Sequence, residues 1–427
     1  MNTQTWEEEV FAQLNDAKKA SLQLALASSQ QKNEALRQMA EMLWQNKDYI
    51  LTENEKDITK ALKTLEQVKI DRLRLTEDRI LSMVEGLNQI ALLDDPIGEI
   101  CERVQRPNTL VIEKVRVPMG VIAIIYESRP NVTADAAGLA LKTGNAVVLR
   151  GGKEAFCSNQ AIVKSLQAGL KRAGLNPNCL QFISSTNRET VDYLIRARGL
   201  VDLAIPRGGA SLINHVIETA LVPVIETGVG NCHVYVDRSA NYEMATSIVV
   251  NAKTQRPSVC NAAETLLVHR DLAMDWLPEC VSQLQKQGVE IRACKNSYPI
   301  LLDSCKNEAG IIPAEASDFS TEFLNLTLAV KLVDSVDDAI AHISEYGTKH
   351  SEAIITEDKK NADRFLASVD ASVVYHNAST RFTDGFEFGY GAEIGISTQK
   401  LHARGPMGLS ELTSYKYVVH GNGQIRV

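Results

Sequence analysis

The 427-residue sequence lacks any apolar run of about 18 residues, the length that a membrane-spanning helix needs. It also lacks a basic excess, since its formal net charge is -8 at pH 7. Nucleic acids and anionic membrane surfaces attract basic proteins, so we expect neither as a partner. Residues 1–13 have neither the basic nor the apolar region of a secretory signal, and we therefore expect a cytoplasmic protein.

The cysteines have neither the close paired spacing of a zinc site nor the density of a disulfide framework. There are eight, namely Cys101, Cys157, Cys179, Cys232, Cys260, Cys280, Cys294 and Cys305. Cys232 and His233 are adjacent, but neighbours along a strand point to opposite faces, which argues against a metal pair. We expect no metal and interpret most of the cysteines as small core residues.

The dinucleotide fingerprint Gly-x-Gly-x-x-Gly between a strand and a helix is also absent. The nearest match is Gly389-Tyr390-Gly391 followed by Gly395, and no helix start follows it. A nucleotide, if one binds, must therefore be held in another way.

The first hundred residues are predicted to be helical, because apolar residues such as Ala35, Met39 and Leu43 recur at helical spacing. Thr52-Glu53-Asn54-Glu55 fits a capping box that would start another helix. At 427 residues the chain is too long for one ordinary core, so we expect two large lobes.

From Val121 onward, short apolar runs alternate with helical stretches such as Ser158 to Ala173. This alternation predicts parallel sheets covered on both faces. The predicted strands of the first lobe are Val121 to Tyr126, Ala146 to Leu149, Leu180 to Ile183, Val201 to Ile205 and Val222 to Ile225. Those of the second lobe are Thr265 to Val268, Thr327 to Val333, Ala353 to Thr356 and Ser372 to Tyr375. A further strand, Ser414 to His420, is predicted near the end of the chain; such a strand often completes a partner's sheet, so we expect a homo-oligomer.

Two glycine turns follow predicted strands: Arg150-Gly151-Gly152-Lys153 and Arg207-Gly208-Gly209-Ala210-Ser211. Free backbone N–H groups at a helix start attract phosphate, so either turn could bind a nucleotide. Glycine pairs also form ordinary tight turns, and the sequence leaves both interpretations open.

Cys260 follows a proline and two small residues in Arg256-Pro257-Ser258-Val259-Cys260-Asn261-Ala262. A partly exposed thiol near cations has a lowered pKa and acts as a nucleophile. Free cysteines are more often buried core residues, so composition alone favours a structural cysteine over a nucleophile.

Several segments resemble the aldehyde dehydrogenase superfamily and, within it, the gamma-glutamyl phosphate reductase family. They are Pro118 to Ile122, Gly144 to Leu149, Tyr126 to Asn131, Glu226 to His233, Pro257 to Ala262, Val333 to Ile354 and Leu401 to Gly408. The resemblance implies an α/β fold with a nucleotide-binding domain in 1–104 and 119–232 and a catalytic domain in 233–375. It also implies a small β oligomerisation element and tail in 105–118 and 376–427, with the active site between the lobes.

The resemblance further implies the reduction of L-glutamate 5-phosphate by NADPH to L-glutamate 5-semialdehyde and phosphate, in proline biosynthesis. We expect a monofunctional chain that receives its labile acyl phosphate from a separate glutamate kinase. Two alternatives are an enzyme of the superfamily that oxidises a free aldehyde with NAD, and a catalytically inactive partner of glutamate kinase.

By the same resemblance, Cys260 is the nucleophile, Asn131 an oxyanion donor and Glu226 the match to the general-base glutamate. Asn131 has an alternative as a turn residue after Pro130. The predicted NADP-binding residues are Arg150, Lys153, Gly208, Gly209, Ser211 and Glu322. The predicted substrate-binding residues are Arg129, Arg381 and Arg404, each of which has an ion pair as its alternative.

Overall fold

The computed structural model describes residues 5–65, 67–304 and 310–426. The chain forms two compact units. The first comprises 5–227, Gly389–Gly395 and 407–426, and the second comprises Gly228–Phe388 and Ile396–Pro406. Cys305 lies outside the described residues. Within the described ranges, no helix is long and apolar enough to cross a membrane.

The chain begins with five helices, as the apolar spacing predicts. They are α1 (Trp6–Leu24), α2 (Ser29–Gln45), α3 (Lys47–Ala61), α4 (Gln67–Leu73) and α5 (Glu77–Leu92). The prediction of a helix start at Thr52 is wrong, because α3 begins five residues earlier. The Thr52 hydroxyl donates to the Asp48 carbonyl at 2.8 Å, a bond that threonine makes inside a helix. The capping boxes lie instead at Thr5 and Ser28, where α1 and α2 begin.

A four-stranded parallel sheet forms the centre of the first unit, with the strand order β5-β4-β3-β6. The elements in chain order are β1 (Ile100–Gln105), β2 (Val111–Pro118), β3 (Val121–Tyr126), α6 (Asn131–Lys142), β4 (Ala146–Gly151), α7 (Phe156–Arg172), β5 (Leu180–Phe182), α8 (Glu189–Arg196), β6 (Leu203–Arg207) and α9 (Ala210–Thr219). All six residues of β3 are buried, as in a sheet covered on both faces. The strand predicted at Val222 to Ile225 is wrong. That segment makes a single bridge, from Val224 to Ala204, since Pro223 has no N–H for a ladder.

A seven-stranded parallel sheet forms the second unit, in the order β10-β9-β11-β8-β7-β12-β13. Its elements are β7 (Cys232–Val236), α10 (Tyr242–Thr254), β8 (Ala263–His269), α11 (Leu277–Lys286), β9 (Glu290–Ala293), α12 (Ser297–Ser304), β10 (Ile311–Pro313), β11 (Thr327–Val333), α13 (Val336–Tyr346), β12 (Ser351–Ile355), α14 (Lys359–Ser368) and β13 (Val373–His376). Val234 and Val236 pack in one core cluster and Tyr235 in another, so both faces of the sheet are covered. The prediction of two parallel sheets is confirmed.

The tail adds β14 (Ile396–Ser397), β15 (Gly405–Pro406) and β16 (Thr413–His420). β16 pairs antiparallel with β2 of its own chain from Thr413 to His420, and the resulting sheet has the order β1-β2-β16. Every residue of β1 is exposed. The terminal strand therefore completes a sheet within its own chain, and the homo-oligomer stays a prediction.

Candidate functional site

Cys260 lies in the turn between α10 and β8. The Ala262 N–H donates to the Val259 carbonyl at 3.1 Å and closes this turn around the cysteine. Cys260 is partly exposed, in keeping with the small residues around it. The turn therefore presents a thiol at a surface that solvent reaches.

The other cysteines that pack in the interior are poor nucleophiles. Cys179, Cys232 and Cys280 are buried, and burial raises the pKa of each thiol, that of Cys179 to about 12. Partial burial and the neighbouring Asp57 carboxylate raise the pKa of Cys157 as well. A thiol held in its protonated form attacks slowly, so these four side chains fit a structural role.

Gly230 fixes the backbone of Cys260. A Cβ at position 230 would lie 1.5 Å from the Cys260 carbonyl oxygen and 2.7 Å from its Cα, so only glycine fits. The Gly230 N–H donates to the Glu322 Oε1 at 2.7 Å, and the Cys232 thiol donates to the Cys260 carbonyl at 3.2 Å. Glu322, predicted as a coenzyme residue, thus binds the glycine segment that packs against the cysteine turn.

Asn231 connects this glycine segment to the C-terminal end of α13. Its N–H donates to the Thr348 Oγ1 at 3.0 Å. Its side-chain amide donates to the carbonyls of Phe319 at 2.7 Å and Tyr346 at 2.9 Å. Two segments that carried the family resemblance, 226–233 and 333–354, therefore meet here and share one hydrogen-bond network.

A buried histidine cluster lies under the same segments. His233 contacts the Glu352 Oε2 through Nδ1 at 3.0 Å, and both side chains are fully buried. The His342 ring packs edge-on against His233, and its Nδ1 lies 3.0 Å from the Lys331 Nζ. Burial, with a contribution from the neighbouring Lys331 ammonium, lowers the pKa of His342 to about 3, so the ring is neutral at pH 7. In the described part of the chain, no group of His, Cys, Asp and Glu side chains is arranged to hold a metal ion.

Arg381 lies beside the cysteine turn, on the short 3-10 helix Thr380–Phe382. Its Nε donates to the Gln255 Oε1 at 2.9 Å, and its Nη1 contacts the side-chain oxygen of Asn261, the residue after Cys260. Burial lowers the pKa of Arg381, with a further contribution from Arg256. Both hydrogen-bonded side-chain partners are neutral amides, and the nearby groups that interact electrostatically with the guanidinium include Asp384 and Cys260.

Arg404 and Arg129 are placed differently. The Arg404 Nη2 donates to the Asp370 Oδ1 at 2.7 Å, and Lys400 lies 3.0 Å from the same carboxylate. The hydrogen bond from Arg404 is the main reason that the pKa of Asp370 lies far below its usual range. The ion-pair alternative therefore describes Arg404. Arg129 is partly exposed between β3 and α6, and its carbonyl accepts from the Val132 N–H at 3.1 Å.

Each glycine turn lies between a strand and a helix, as predicted, and each contacts a carboxylate of its own unit. The Gly209 N–H donates to the Glu127 Oε2 at 3.1 Å. A Cβ on Gly152 would lie 2.1 Å from the Glu154 Oε1, which accepts from the Ser128 N–H at 2.8 Å. The sequence reasoning did not assign a role to these two acidic residues. A phosphate at the Gly209 N–H has to displace the Glu127 carboxylate first.

Arg150 is buried and bonded both to its own turn and to the segment that leads from β5 into α8. It donates to the carbonyls of Gly151 at 2.9 Å and Asn187 at 3.1 Å, and burial lowers its pKa. Lys153 starts a short 3-10 helix with an exposed side chain. Ser211 is exposed in the first turn of α9. Of the two cations at this turn, Lys153 is therefore the one that faces solvent.

Asn131 and Glu226 belong to the first unit, whereas Cys260 belongs to the second. Asn131 is the first residue of α6, and its amide donates to the Asp135 Oδ2 at 3.3 Å. Burial raises the pKa of Asp135 to about 6. Glu226 is partly exposed, next to Thr227, whose hydroxyl donates to the Pro206 carbonyl at 2.6 Å. The predicted turn after Pro130 is thus the start of a helix.

Sequence comparison places these elements among known proteins. The model of the aldehyde dehydrogenase family matches residues 3–293. A gamma-glutamyl phosphate reductase from Caldanaerobacter subterraneus subsp. tengcongensis is 56% identical over 419 residues, 98% of this chain and 100% of that protein. A gamma-glutamyl phosphate reductase from Carboxydothermus hydrogenoformans is also 56% identical, over 420 residues, 98% of this chain and 100% of the relative.

Solved structures give the same placement. The crystal structure of gamma-glutamyl phosphate reductase from Thermotoga maritima superposes with a TM-score of 0.94 at 46% identity, covering 98% of this chain and 100% of that one. An acetylating aldehyde dehydrogenase from Geobacillus thermoglucosidasius has a TM-score of 0.72 at 19% identity, covering 99% of this chain and 98% of that chain, and thus shares the fold. The chain therefore belongs to the aldehyde dehydrogenase family and, within it, to the gamma-glutamyl phosphate reductases.

Proposed function

We propose that this protein reduces L-glutamate 5-phosphate to L-glutamate 5-semialdehyde and phosphate with NADPH, a step of proline biosynthesis. The observation that supports this most is the Cys260 turn, which combines a partly exposed thiol, the Gly230 backbone and the Arg381 guanidinium. An accessible thiol in a fixed backbone is suited to attack on an acyl carbon, and a neighbouring positive charge favours the anionic form of both the thiol and the substrate. The relatives named gamma-glutamyl phosphate reductase indicate which acyl group is transferred.

In this mechanism the Cys260 thiolate attacks the acyl carbon, and the bond from that carbon to the phosphate oxygen breaks. The products are a thioester on Cys260 and inorganic phosphate. The bound coenzyme supplies the hydride that reduces the thioester carbon. The C–S bond then breaks, which releases the aldehyde and restores the thiolate. The Cys260 N–H and, by family resemblance, the Asn131 amide donate to the oxyanion in both steps.

We rank the three arginines as candidates for substrate binding by whether a carboxylate already pairs with the guanidinium. Arg381 is the preferred partner of a substrate oxyanion, because its charge lies next to the Cys260 turn and its side-chain partners are neutral. Arg129 is the second candidate. Arg404 is the third, since Asp370 already accepts from it. Glu226 is proposed to tune the thiol, since a reaction that releases phosphate needs no water for deacylation.

A nicotinamide coenzyme fits the first unit through its solvent-facing donors. Lys153 is exposed after β4, and Gly208, Gly209 and Ser211 are exposed at the start of α9. Backbone N–H groups at a helix start favour phosphate, once Glu127 moves from Gly209. Arg150 is proposed to hold the shape of its loop, and Glu322 to contact the nicotinamide ribose. The choice of NADP over NAD depends on Lys153.

Lys153→Glu is expected to raise the KM for NADPH about tenfold or more while changing the KM for NADH little. A charge-assisted bond to the 2′-phosphate contributes roughly 1.5 to 3 kcal/mol, and a carboxylate at this position would repel the phosphate. Steady-state kinetics with both coenzymes measure the effect. Lys164→Glu, an exposed charge reversal on α7, is the matched control. If both constants rise together, or neither rises, Lys153 does not recognise the 2′-phosphate.

The reverse reaction tests the proposed function. Glutamate semialdehyde should reduce NADP only when inorganic phosphate is present, because phosphate must release the acyl group from Cys260. Reduction of NAD without phosphate would indicate an enzyme that oxidises a free aldehyde. Absence of reduction with either coenzyme would favour a catalytically inactive partner of glutamate kinase.

We also propose a homo-oligomer and direct transfer of the acyl phosphate from glutamate kinase. The sheet β1-β2-β16 supports the first proposal, since the large side chains of Tyr415, Tyr417 and Val419 lie exposed on β16. Aromatic and branched side chains on one strand are typical of a surface that pairs with another subunit. The second proposal depends only on the rapid hydrolysis of acyl phosphates in water.

A further inference from the structure

Lys253 and Glu264 form an ion pair with no exposed side-chain surface, on either side of Cys260 in the sequence. Lys253 lies near the end of α10 and Glu264 is the second residue of β8. The pair therefore joins the two elements between which the Cys260 turn is held. Burial raises the pKa of Glu264 to about 7 and lowers that of Lys253, so both groups are removed from water at a cost.

Glu264 has a second contact that extends this link. Its Oε1 accepts from the Leu324 N–H at 3.1 Å. Leu324 has a φ of 55°, a left-handed conformation that a branched side chain seldom adopts without support. The hydrogen bond from Leu324 to Glu264 supplies that support.

The segment held in this way includes Glu322. Two residues before Leu324, the Glu322 carboxylate accepts from the Gly230 N–H at 2.7 Å, and Gly230 packs against the Cys260 backbone. One hydrogen bond thus links Glu264 to Leu324, and a second links Glu322 to Gly230. The chain itself joins Leu324 to Glu322, and Gly230 packs against the Cys260 backbone.

A buried ion pair adds little to stability when an apolar pair of the same size could replace it. An apolar pair could not accept a hydrogen bond from the Leu324 N–H, as the Glu264 carboxylate does. We propose that Lys253 and Glu264 are positioning residues, which fix the 322–324 segment so that Glu322 can contact both Gly230 and the nicotinamide ribose. This inference rests on the proposed function, since it gives Glu322 its place in coenzyme binding.

The test compares two double variants of the full-length protein. Lys253→Met with Glu264→Met removes the buried charges and the acceptor for the Leu324 N–H. Lys253→Met with Glu264→Gln removes the charges but keeps an amide oxygen as the acceptor. The measurements are amide hydrogen exchange at Leu324, the KM for NADPH, and the rate at which iodoacetamide alkylates Cys260, followed by peptide mass.

In the methionine pair, we expect exchange at Leu324 to accelerate and the KM for NADPH to rise, each about tenfold, as for the loss of a hydrogen bond to a charged group. Alkylation of Cys260 should stay within about threefold of wild type, because the turn itself keeps its own bonds. The glutamine pair should restore most of both losses. Should the methionine pair not fold, Glu264→Asp tests the same hydrogen bond. Its shorter side chain keeps the negative charge but withdraws the acceptor from the Leu324 N–H.

Wild-type exchange and a wild-type KM in the methionine pair would overturn the proposal. Equal impairment of the two pairs would overturn it too, because the hydrogen-bond acceptor would then be irrelevant. Failure of the proposed function gives a different result. In that case glutamate semialdehyde would not reduce NADP in a phosphate-dependent reaction, while hydrogen exchange at Leu324 would still report whether Glu264 supports this segment.

Discussion

Replacing Cys260 with serine is expected to abolish NADPH-dependent turnover while leaving coenzyme binding and the melting temperature almost unchanged. A serine hydroxyl stays protonated at neutral pH and attacks an acyl carbon far more slowly than a cysteine thiolate. The side chains are nearly the same size, so the turn between α10 and β8 should keep its shape. Oxidation of NADPH in the presence of the acyl phosphate measures turnover, and fluorescence titration with NADPH measures binding.

Cys157→Ser is the matched control, because Cys157 is also partly exposed and its pKa is raised by burial and by Asp57. This variant should keep nearly full activity. Retention of more than about a tenth of wild-type activity in Cys260→Ser would rule out the nucleophile, since an enzyme without one loses far more.

Replacing Gly230 with alanine is expected to lower kcat/KM about a hundredfold, the effect of moving a reacting group by about 1 Å. The added Cβ would lie 1.5 Å from the Cys260 carbonyl oxygen, so the cysteine turn or the Gly230 segment has to shift. The atoms of Cys260 that would clash with the added Cβ belong to its backbone, which cannot rotate away as a side chain could. Steady-state kinetics and the rate of Cys260 alkylation measure the displacement.

Gly86→Ala provides the control for this substitution. Gly86 lies in α5, where a Cβ would meet only the Asp135 Oδ1 at 3.9 Å. Alanine should stabilise that helix by about 1 kcal/mol and leave activity unchanged. Wild-type kcat/KM in Gly230→Ala would contradict the role assigned to Gly230, because it would mean that the cysteine turn tolerates a shift.

The periodicity of the sequence predicted most of the two parallel sheets, for a physical reason. A strand such as Val121–Tyr126 is buried on both faces, so it forms a continuous apolar run that stands out between helices. Some of the short strands gave no such signal. Glu290–Ala293 alternates polar and apolar residues over only four positions, and it was not predicted. At Val222 to Ile225 the composition was right, but Pro223 prevents a ladder.

The site was predictable in part. The small residues and the proline around Cys260 are compatible with an accessible thiol, but it was the family resemblance that selected this cysteine as the nucleophile. The contacts that hold the turn were not predictable, since Gly230 and Glu322 are separated by 92 positions and Lys253 and Glu264 belong to different elements. A sequence pattern shows which residues share a face of one element, but not which distant loop lies beneath it.

The carboxylates at the glycine turns show the same limit. Glu127 follows β3 and reaches a turn that follows β6, because neighbouring parallel strands end at the same edge of the sheet. An isolated glycine turn predicts an anion site, and the structure adds that an acidic side chain already contacts one of its N–H groups.

The pairing of β16 with β2 determines the order in which the two units can finish folding while the chain is being translated. The Arg116 Nη1 donates to the Thr413 Oγ1, 297 positions later. At the usual rate of translation, β2 leaves the ribosome roughly 15 to 60 s before its partner strand. The whole of Gly228–Phe388 is made within that interval, so the unit that begins first is completed last. Until then β2 has an open edge, and other strands made at the same time can pair with it.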